Sequence, residues 1–468
     1  MTFPTTALVR HPKGGILIAT IVFTTIFVFI AGGLLSLIQQ QQRLASQRQS
    51  LGLALQIAEA GANYYRWHLA HAPEDYEDGN GPTGCKPCGP YQHEFRDPAG
   101  DLIGYFELVI TPPDPTFPGS TIVKILSTAW TLQHPNSKRR VAVSVGRPSL
   151  ARFTTIVHNN ISYGSTSETF GPVHSNGGVK FDGTAHNLVT SAMEEYWISG
   201  GWEDGVWTSQ PDENEVFLAG KEFPVSPVDF GGFTQNLNTM ETHAQDEGAW
   251  LGSSGFAGYH VQLQNDDTFS WRVVQTTTAS CNGETTGGIS SYNGSWTTEA
   301  LPENGLIFVK DNVWIDGQID GSRVTVVAAK DPLDTGTADI FLNNDLLYTS
   351  KEGEDVIGLI AQRNVVIGLY SEDDLEIDAI LIAKNGRRYR PDYDSVFDCG
   401  PTALRTKFTL YGSTISYLTP FMFSGSSGYQ NRSYIYDPNT LFSPPPFFPT
   451  TGEYIFVSWE EVIQDEIY

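Results

Sequence analysis

The chain has 468 residues and a formal net charge of −25, from 28 Lys and Arg against 53 Asp and Glu. Its first 58 residues carry four basic side chains and no acidic one, so the remainder holds 24 basic and 53 acidic side chains, or −29. A surface this acidic repels phosphate backbones, and no stripe of Lys and Arg offsets it, which excludes direct nucleic-acid binding. The length is sufficient for two or three domains with sizeable cores.

The N-terminal segment is the first strong signal. Residues 14–38 contain 25 residues without a charged side chain, and about 20 apolar residues suffice to span a bilayer. We therefore predict a transmembrane helix over residues 15–38. Arg10 and Lys13 precede it, and positive residues favour the cytoplasmic side. The N-terminus should thus be cytoplasmic, with everything beyond about residue 40 outside.

The helical pattern continues beyond the apolar run, into an amphipathic stalk over residues 39–70. A conventional secretory signal peptide is the alternative, but its apolar core is usually ~7–15 residues and ends at a cleavage site. The stalk has no proline, and its apolar residues recur at steps of three, four and seven. These residues are Leu44, Leu51, Leu55, Ala58, Ala62, Tyr65 and Leu69. This face packs on its own globular domain, on other helices, or on both.

Residues 71–150 predict a small antiparallel sheet after a loop rich in Gly, Pro and Asp. Three runs of β-branched and aromatic residues, at 103–110, 121–130 and 140–145, are separated by turn-forming segments. We expect the apolar face of this sheet to lie on the C-terminal half of the stalk helix.

The chain has four cysteines, Cys85, Cys88, Cys281 and Cys399. An exported location permits disulfides, and four cysteines allow three pairings. We favour a local Cys85–Cys88 link and a long-range Cys281–Cys399 link. A zinc half-site or a redox pair at the first two, and free thiols throughout, remain alternatives.

Residues 151–440 predict a parallel β-solenoid. Short apolar runs alternate with Gly, Asn and Asp at irregular intervals, which fits coils that each contribute short strands. The runs at 356–361 and 379–383 are apolar throughout, as buried coils require. A β-sandwich of hairpins is the alternative.

Two segments depart from the solenoid pattern. Residues of about 230–300 predict an inserted helix, with Phe233, Leu237, Met240 and Ala244 on one face, followed by a hairpin at 265–267. Residues 441–468 are rich in Pro and Phe and predict an extended strap that covers the solenoid flank. A polyproline ligand for another protein is the alternative.

By these features the chain resembles PilX-type minor pilins and large type II secretion pseudopilins. The resemblance covers residues 13–70, through Lys13-Gly14 before an uncharged run and the sequence Ala58-Glu59-Ala60-Gly61. The following strand-forming segment resembles a pilin sheet. The segments at 170–183, 304–329, 358–368 and 436–449 resemble the solenoid regions of large PilX-like surface proteins.

The resemblance implies a leader peptide over residues 1–14, removed by a prepilin peptidase that cuts after Gly14 or Gly15, with Ile16 just beyond. Major pilins carry a glutamate five residues beyond the cut, where this chain has Ala19 or Thr20. This difference implies a minor subunit, at the tip or in priming. Its partners would be other pilins, the membrane and the peptidase. A surface glycan or a partner cell is the candidate adhesion target.

We expect no catalytic residue, metal or cofactor. The alternative function is a membrane-tethered β-helix enzyme acting on polysaccharide, which needs paired carboxylates about 5–10 Å apart. The candidate carboxylates are Asp316, Asp320, Glu372, Asp373, Asp374, Glu376 and Asp378. Glu376 and Asp378 alternate with apolar residues, which predicts a solvated outer strand face.

We expect His174 to be a turn residue. Acidic loops at 264–267 and 371–374 are weak candidates for calcium.

Overall fold

The structure is a computed structural model that describes residues 15–81, 84–115, 117–230, 236–393, 399–450 and 453–462. The predicted leader, with Gly14, lies outside the described residues. The chain divides into two compact units, described separately below. The first, the helix unit, comprises Met1–Thr111, Lys124–Ser144 and Ser458–Tyr468. The second, the solenoid unit, comprises Pro112–Val123 and Val145–Val457.

A single helix, α1, runs from Gly15 to His71 over 57 residues. The predicted membrane segment and stalk are thus one uninterrupted helix, which the absence of proline allows. Its buried face lies entirely in the C-terminal part. The buried residues are Ser50, Ala54, Ile57, Ala58, Gly61, Ala62, Tyr65 and Leu69. Four of the predicted stalk residues lie on this face, whereas Leu44 is exposed.

A five-stranded sheet follows the helix. Its strands are β1 (Cys88–Arg96), β2 (Leu102–Thr111), β3 (Val123–Thr131), β4 (Arg139–Gly146) and a final strand (Ile455–Glu461). β1–β2 and β2–β3 pair antiparallel, and alternate residues of β2, β3 and β4 are buried. The three predicted strands are present. The sequence missed β1, whose residues are mostly polar.

Close packing between α1 and the sheet depends on Gly61. A Cβ atom there would stand 2.5 Å from Ser127 Oγ and 2.7 Å from Phe106 Cδ2. Gly104 on β2 is equally tight, because its Cβ would stand 2.7 Å from Ile57 Cδ1. Small residues at both positions therefore let the helix lie directly on the strands.

The solenoid unit begins with a first run of short strands. These are β5 (Thr155–Val157), β6 (Ile161–Tyr163), β7 (Ser167–Phe170), β8 (Val173–Ser175), β9 (Val179–Phe181), β10 (Thr184–Ala185), β11 (Val189–Ser191), β12 (Glu195–Ile198), β13 (Gly201–Asp204), β14 (Val206–Trp207) and β15 (Lys221–Glu222). A short 3₁₀ helix, Leu150–Arg152, precedes them.

A second run follows helix α2 (Asn236–Asp246). Its strands are β16 (Ala249–Leu251), β17 (Gly258–Leu263), β18 (Thr268–Thr277), β19 (Ile289–Ala300), β20 (Leu306–Val309), β21 (Val313–Ile319), β22 (Arg323–Ala328), β23 (Ile340–Leu342), β24 (Leu346–Tyr348), β25 (Val356–Ala361), β26 (Val365–Ile367), β27 (Asp374–Ala383), β28 (Arg388–Tyr389), β29 (Leu404–Ser416), β30 (Phe423–Ser424) and β31 (Ser427–Ile435). The final strand, Ile455–Glu461, is β32. Two further 3₁₀ helices lie at Pro401–Ala403 and Pro438–Thr440.

The coils stack as parallel ladders on three faces. The first face runs β16–β20–β22–β25–β27–β29–β5–β8–β11–β15, with every pairing parallel. The second face holds β17–β21–β23–β26–β28 and, separately, β6–β9–β14. The third face runs β21–β24–β27–β29–β31–β7–β10. These parallel ladders are the predicted solenoid and do not form a β-sandwich of hairpins. The predicted class, mainly β with a long N-terminal helix, a small antiparallel sheet and a parallel solenoid, is confirmed.

The spatial order of the coils differs from their order along the chain. The last long strand, β29, pairs with the first strand of the unit, β5, through Thr414↔Thr155 and its neighbours. Likewise β31 pairs with β7. The first run therefore stacks on the end of the second run, and we call this meeting place the joint.

Strands at the middle of the solenoid are apolar throughout because both of their faces are buried. On β22, Val324 and Val326 point into the interior, whereas Val327 packs in a second cluster outside it. That outer cluster includes Leu237, Met240 and Ala244 of α2, together with Phe448. The predicted helix face is thus present, except that Phe233 lies outside the described residues.

The inserted hairpin is part of the solenoid itself. β17 and β18 pair antiparallel around the predicted turn, and β19 extends them by a third strand. However, β17 also pairs parallel with β21. The predicted insertion therefore supplies an end coil of the second face.

The Pro-rich segment packs against the solenoid but ends before the predicted strap does. Arg323 donates hydrogen bonds to the carbonyls of Ser443 and Pro444 (2.9 Å for the latter), and Thr325 donates to Pro446 O at 2.5 Å. Residues 455–461 instead form β32 beside β4. The expectation of a strap over all of 441–468 is wrong for this strand, because its β-branched and aromatic residues complete the sheet edge.

Candidate functional site

The N-terminal half of α1 is an unpartnered apolar surface. Every side chain from Gly15 to Ile38 is exposed or half-exposed and packs on no other described element, and Ser50 is the first buried residue of the helix. Ile16 is 82% exposed and Phe29 is 77% exposed. Apolar surface of this extent is not left in contact with water in a stable protein.

Length and composition make this half of α1 able to cross a membrane. The 24 residues from 15 to 38 span roughly 36 Å at ~1.5 Å per residue, against about 30 Å of bilayer hydrocarbon. Three threonine hydroxyls within the segment are satisfied by carbonyls of the helix itself. The hydroxyls of Thr24 and Thr25 donate to the carbonyls of Thr20 and Ile21 at 2.6 and 2.7 Å, and Thr20 donates to Ile16 O.

The residues predicted for processing lie at the start of this helix. Gly15 is its first residue, and a Cβ there would meet nothing within 4 Å. Ile16 follows on the exposed surface. Ala19 and Thr20, where the resemblance led us to look for a glutamate, are also exposed. The segment therefore offers its surface to a lipid or to another helix, with no carboxylate on it.

The four cysteines are joined in two pairs. Cys85 is bonded to Cys88, with Cα atoms 4.9 Å apart. Cys281 is bonded to Cys399 across 118 residues, with Cα atoms 6.0 Å apart. The buried carboxyl of Glu77 lies beside the first pair, and its Oε1 accepts a hydrogen bond from Gly84 N at 3.0 Å.

Among the described residues, Glu77, Cys85 and Cys88 are the group whose ligand atoms lie within 4.8 Å of one another. A metal would need the cysteines as thiolates. With both sulfurs bonded to each other, this group cannot act as a zinc half-site.

A polar cluster ties the C-terminal end of α1 to the loop that follows. His68 Nε2 contacts Asp75 Oδ2 at 2.9 Å, and His93 Nε2 contacts Asp78 Oδ2 at 2.7 Å. Tyr65 donates to Asp75 O at 2.9 Å. Burial alone would raise the pKa of Asp75, but hydrogen bonds from backbone N–H groups and from His68 lower it overall. Sequence reasoning missed this cluster, because its members are separate single residues within a Gly- and Asp-rich stretch.

The carboxylates considered for catalysis are held by neighbouring groups. Asp316 accepts hydrogen bonds from His260 Nε2 at 2.7 Å, from Gln262 at 3.1 Å and from Asn344 at 3.1 Å. These bonds outweigh burial and lower its pKa. Asp373 receives the N–H and hydroxyl of Thr406 at 3.1 and 2.6 Å.

Glu376 and Asp378 do alternate with buried apolar residues, but they are not equally solvated. The Glu376 side chain is 42% exposed, whereas that of Asp378 is 1% exposed. Lys351 contacts both, at 2.8 and 3.0 Å. Burial raises the pKa of Asp378 to about 6, although a backbone N–H from Tyr348 and the bond to Lys351 act to lower it. The expectation of a solvated face is therefore wrong for Asp378.

His174 is buried rather than displayed at a turn. Its ring nitrogens contact Thr190 Oγ1 at 2.9 Å and Asn176 Oδ1 at 3.0 Å. Burial lowers its pKa, which keeps the ring neutral. This histidine therefore links neighbouring coils β8 and β11 within the solenoid.

Several side chains of the acidic loops considered for calcium make internal contacts. Asp266 accepts the hydroxyl of Thr268 at 2.5 Å, and Asp267 accepts that of Ser322. Ser371 bonds the hydroxyl of Tyr429 at 2.9 Å. These side chains stabilise turns between strands.

No protein-family model and no curated protein sequence matches the chain. Among solved structures, the chain is similar to the competence-associated pilin ComZ from Thermus thermophilus. The identity is 14%, the match covers 89% of this chain and 98% of that chain, and the TM-score is 0.31. Similarity at this level does not define the fold or the family of the chain.

Proposed function

We propose that the chain is a minor pilin-like subunit that inserts the exposed half of α1 into a type IV pilus or a related filament. The proposal places the subunit at the tip or in priming of that filament, with the solenoid displayed outside the cell in a structural or adhesive role. Prepilin peptidase would remove residues 1–14, and the membrane would hold the helix before assembly.

One observation supports this proposal most strongly. A single helix carries an apolar half that packs on none of the described residues outside it, and a second half fixed to an antiparallel sheet by Gly61 and its neighbours. A membrane anchor alone requires only the first half. A rigid continuation into the folded domain adds a fixed geometry, which is useful when many such helices pack side by side.

The size of the exterior and the missing glutamate support a minor position. In an apolar bundle, a carboxylate is stable only when it is neutralised by a partner. A subunit with Ala19 and Thr20 offers no such partner to the amine of a neighbour. Roughly 400 residues outside the helix also exceed the space at each position of a thin filament.

The test is mass spectrometry of the mature N-terminus, with Gly14→Val and Gly15→Val variants in the full-length chain. We expect a chain that begins at Gly15 or Ile16 with a methylated amine. Both substitutions together should abolish processing and filament incorporation.

The matched control is Gly33→Val. A Cβ at Gly33, as at Gly15, meets nothing within 4 Å, so both positions tolerate it equally in the fold. Processing of the control should be normal. An unprocessed wild-type protein that still assembles contradicts the proposal. Labelling of the solenoid along the whole filament contradicts the tip position.

A further inference from the structure

The joint of the solenoid is incomplete on its second face. The first and third faces pair continuously through β29–β5 and β31–β7. On the second face, β6 belongs to a separate three-stranded sheet with β9 and β14. Within the described residues, no strand pairing connects β6 to the segment 420–423. Beside this gap, the hydroxyl of Thr419 donates a hydrogen bond to Asn160 O at 2.7 Å.

A cavity of about 100 Å³ occupies this gap and reaches the surface. It is lined by Tyr163 and Ser167 from the first run, and by Arg388, Phe421, Arg432 and Tyr434 from the second. A water molecule takes about 30 Å³ in the liquid, so the cavity has room for roughly three waters or one small polyatomic ion.

The two arginines make this cavity strongly positive. Arg388 is 2% exposed and Arg432 is 6% exposed. Neither forms a salt bridge with any described residue. All three side-chain nitrogens of Arg432 donate to neutral oxygens: Nη2 to Thr166 Oγ1 at 2.8 Å, Nε to Ser167 Oγ at 3.2 Å, and Nη1 to the carbonyls of Tyr429 and Gln430. Arg432 therefore contributes its charge to the cavity, and no unused donor. Burying two uncompensated cations is costly, and it is unexpected in a chain with 53 acidic residues.

Arg388 also has a hydrogen-bond donor that is not used by any described residue. The Nε of Arg388 donates to Thr414 Oγ1 at 3.1 Å, but its buried Nη1 has no partner in the described part of the chain. The buried hydroxyl of Tyr163 interacts with the buried hydroxyl of Thr155, and neither has a further partner among the described residues. Buried polar groups are nearly always satisfied, so the unpaired Nη1 of Arg388 beside a cavity indicates a missing acceptor.

Other buried arginines of the same unit donate to backbone carbonyl oxygens, as Arg432 also does. Arg390 donates to Thr402 O at 2.8 Å and to Gly368 O. Arg323 donates to Gly353 O at 2.7 Å and to Pro118 O at 3.1 Å. Both arginines bind the backbone as structural clamps. Within the part of the chain that the structure describes, the Arg388 side chain has no such carbonyl partner, and it lies over the rings of Tyr434 and Phe408, at 5.2 and 5.6 Å.

We propose that this cavity binds a small oxyanion, a sulfate, phosphate or carboxylate group, between Arg388 and Arg432, with the Tyr163 hydroxyl as a further donor. Guanidinium groups suit the geometry of such anions. The bound anion neutralises the joint and completes the gap between the two runs of coils. A free inorganic ion and the charged group of an acidic saccharide share this chemistry.

The test is isothermal titration calorimetry of the full-length protein in detergent with sodium sulfate, sodium phosphate and sodium glucuronate. Sodium chloride holds the ionic strength constant, because screening alone changes surface electrostatics. We expect saturable binding of at least one anion. Arg388→Gln should weaken it about 10-fold or more, since it removes a charged donor, and Tyr163→Phe about 2- to 10-fold.

The exposed Arg96, paired with Glu94 at 2.6 Å, provides the control variant Arg96→Gln, which should bind as the wild type does. Glucuronate binding without sulfate or phosphate binding identifies the saccharide as the source. Sulfate or phosphate binding identifies a free ion.

Thermal unfolding provides the second measurement. Sulfate stabilises most proteins by exclusion from their surface, so the decisive quantity is the difference between variants. We expect the wild type to gain more in Tm from the bound anion than Arg388→Gln or Tyr163→Phe does. Without the anion, Arg388→Gln should be as stable as the wild type or more so, because an uncompensated cation is removed.

Two results overturn the proposal. One is the absence of saturable binding for all three anions. The other is binding, or a gain in Tm, that is equal in the wild type, Arg388→Gln and Tyr163→Phe. Tyr163→Phe removes one hydroxyl, which contacts the Thr155 hydroxyl, and should fold normally, so the test remains decisive if the arginine variant does not fold.

Discussion

At the scale of single residues, the environment of each side chain determines its role more than its type does. Gly61 is needed because the sheet packs so closely on α1 that a Cβ atom at this position would lie only 2.5 Å from Ser127 Oγ. Gly52 lies on the same helix, and a Cβ there would meet nothing within 4 Å. Likewise Asp378 and Glu376 belong to one strand, but only Asp378 is buried.

The two glycines of α1 predict opposite effects of one substitution. Gly61→Ala should destabilise the helix unit by about 1–3 kcal/mol, because the methyl group overlaps Ser127 and Phe106. Gly52→Ala should stabilise it by up to about 1 kcal/mol, because alanine favours the helix. Hydrogen exchange of residues 88–111 in the full-length protein measures both effects. Equal effects of the two substitutions contradict the packing described.

Asp378 predicts a dependence of stability on pH. Its folded pKa, about 6, lies above the ordinary value near 4, so the protonated form favours folding. Its contribution is complete below about pH 4 and is lost as the pH rises through about 6, by an amount on the order of 2–3 kcal/mol.

Asp378→Asn should therefore gain stability relative to the wild type between pH 4 and pH 7, and Lys351 keeps Glu376 as its partner. Urea unfolding at several pH values measures this difference. The control is Asp374→Asn, which alters an exposed carboxylate, 67% accessible. Its difference from the wild type in the free energy of unfolding should not change with pH. If the difference between Asp378→Asn and the wild type is also independent of pH, the prediction is wrong.

At the scale of elements, several predictions from sequence are correct because local periodicity determines them. The helix, three strands of the small sheet and the buried face of α2 follow from apolar spacing and from the absence or presence of proline and glycine. β1 and β32 were missed because neither has an alternating apolar pattern that separates it from a loop. Their pairing with β2 and β4 stabilises them instead.

The two disulfides predict different losses on removal. In the chain-entropy view, the link between Cys281 and Cys399, which closes 118 residues, contributes about 4–5 kcal/mol, and a loop of three residues only about 1–2 kcal/mol. The double variant Cys281→Ser/Cys399→Ser should thus lower the urea midpoint far more than Cys85→Ser/Cys88→Ser. Reduction of the wild type should reproduce the larger loss. Equal midpoints contradict this assignment.

At the scale of the whole molecule, the joint is the feature with the greatest consequences for folding. Thr414 on β29 and Thr155 on β5 pair across more than half of the solenoid sequence. Contacts of such separation form slowly, because a long loop must be closed before they are gained. Before the joint forms, the edges of β29 and β31 are unpaired and prone to association.

A proline at Thr414 tests the joint. Thr414 N donates to Thr154 O at 2.8 Å, and proline removes this donor, which leaves a buried carbonyl unsatisfied. Thr414→Pro should lower the stability by roughly 2–4 kcal/mol more than Thr414→Val, which also removes the hydroxyl but keeps the N–H. Hydrogen exchange of residues 155–191 reports opening of the joint. Similar exchange in both variants contradicts the role given to this pairing.

The sequence alone determined the class of the molecule: a long N-terminal helix with an uncharged apolar half, a small sheet and a solenoid of short strands. These features depend on composition and on periods of two to four residues. Only the tertiary structure decided which coils are neighbours, that Asp378 is buried, and that Arg388 and Arg432 converge on one cavity. Each of these depends on pairing between segments far apart in the chain, and a local pattern carries no information about such pairing.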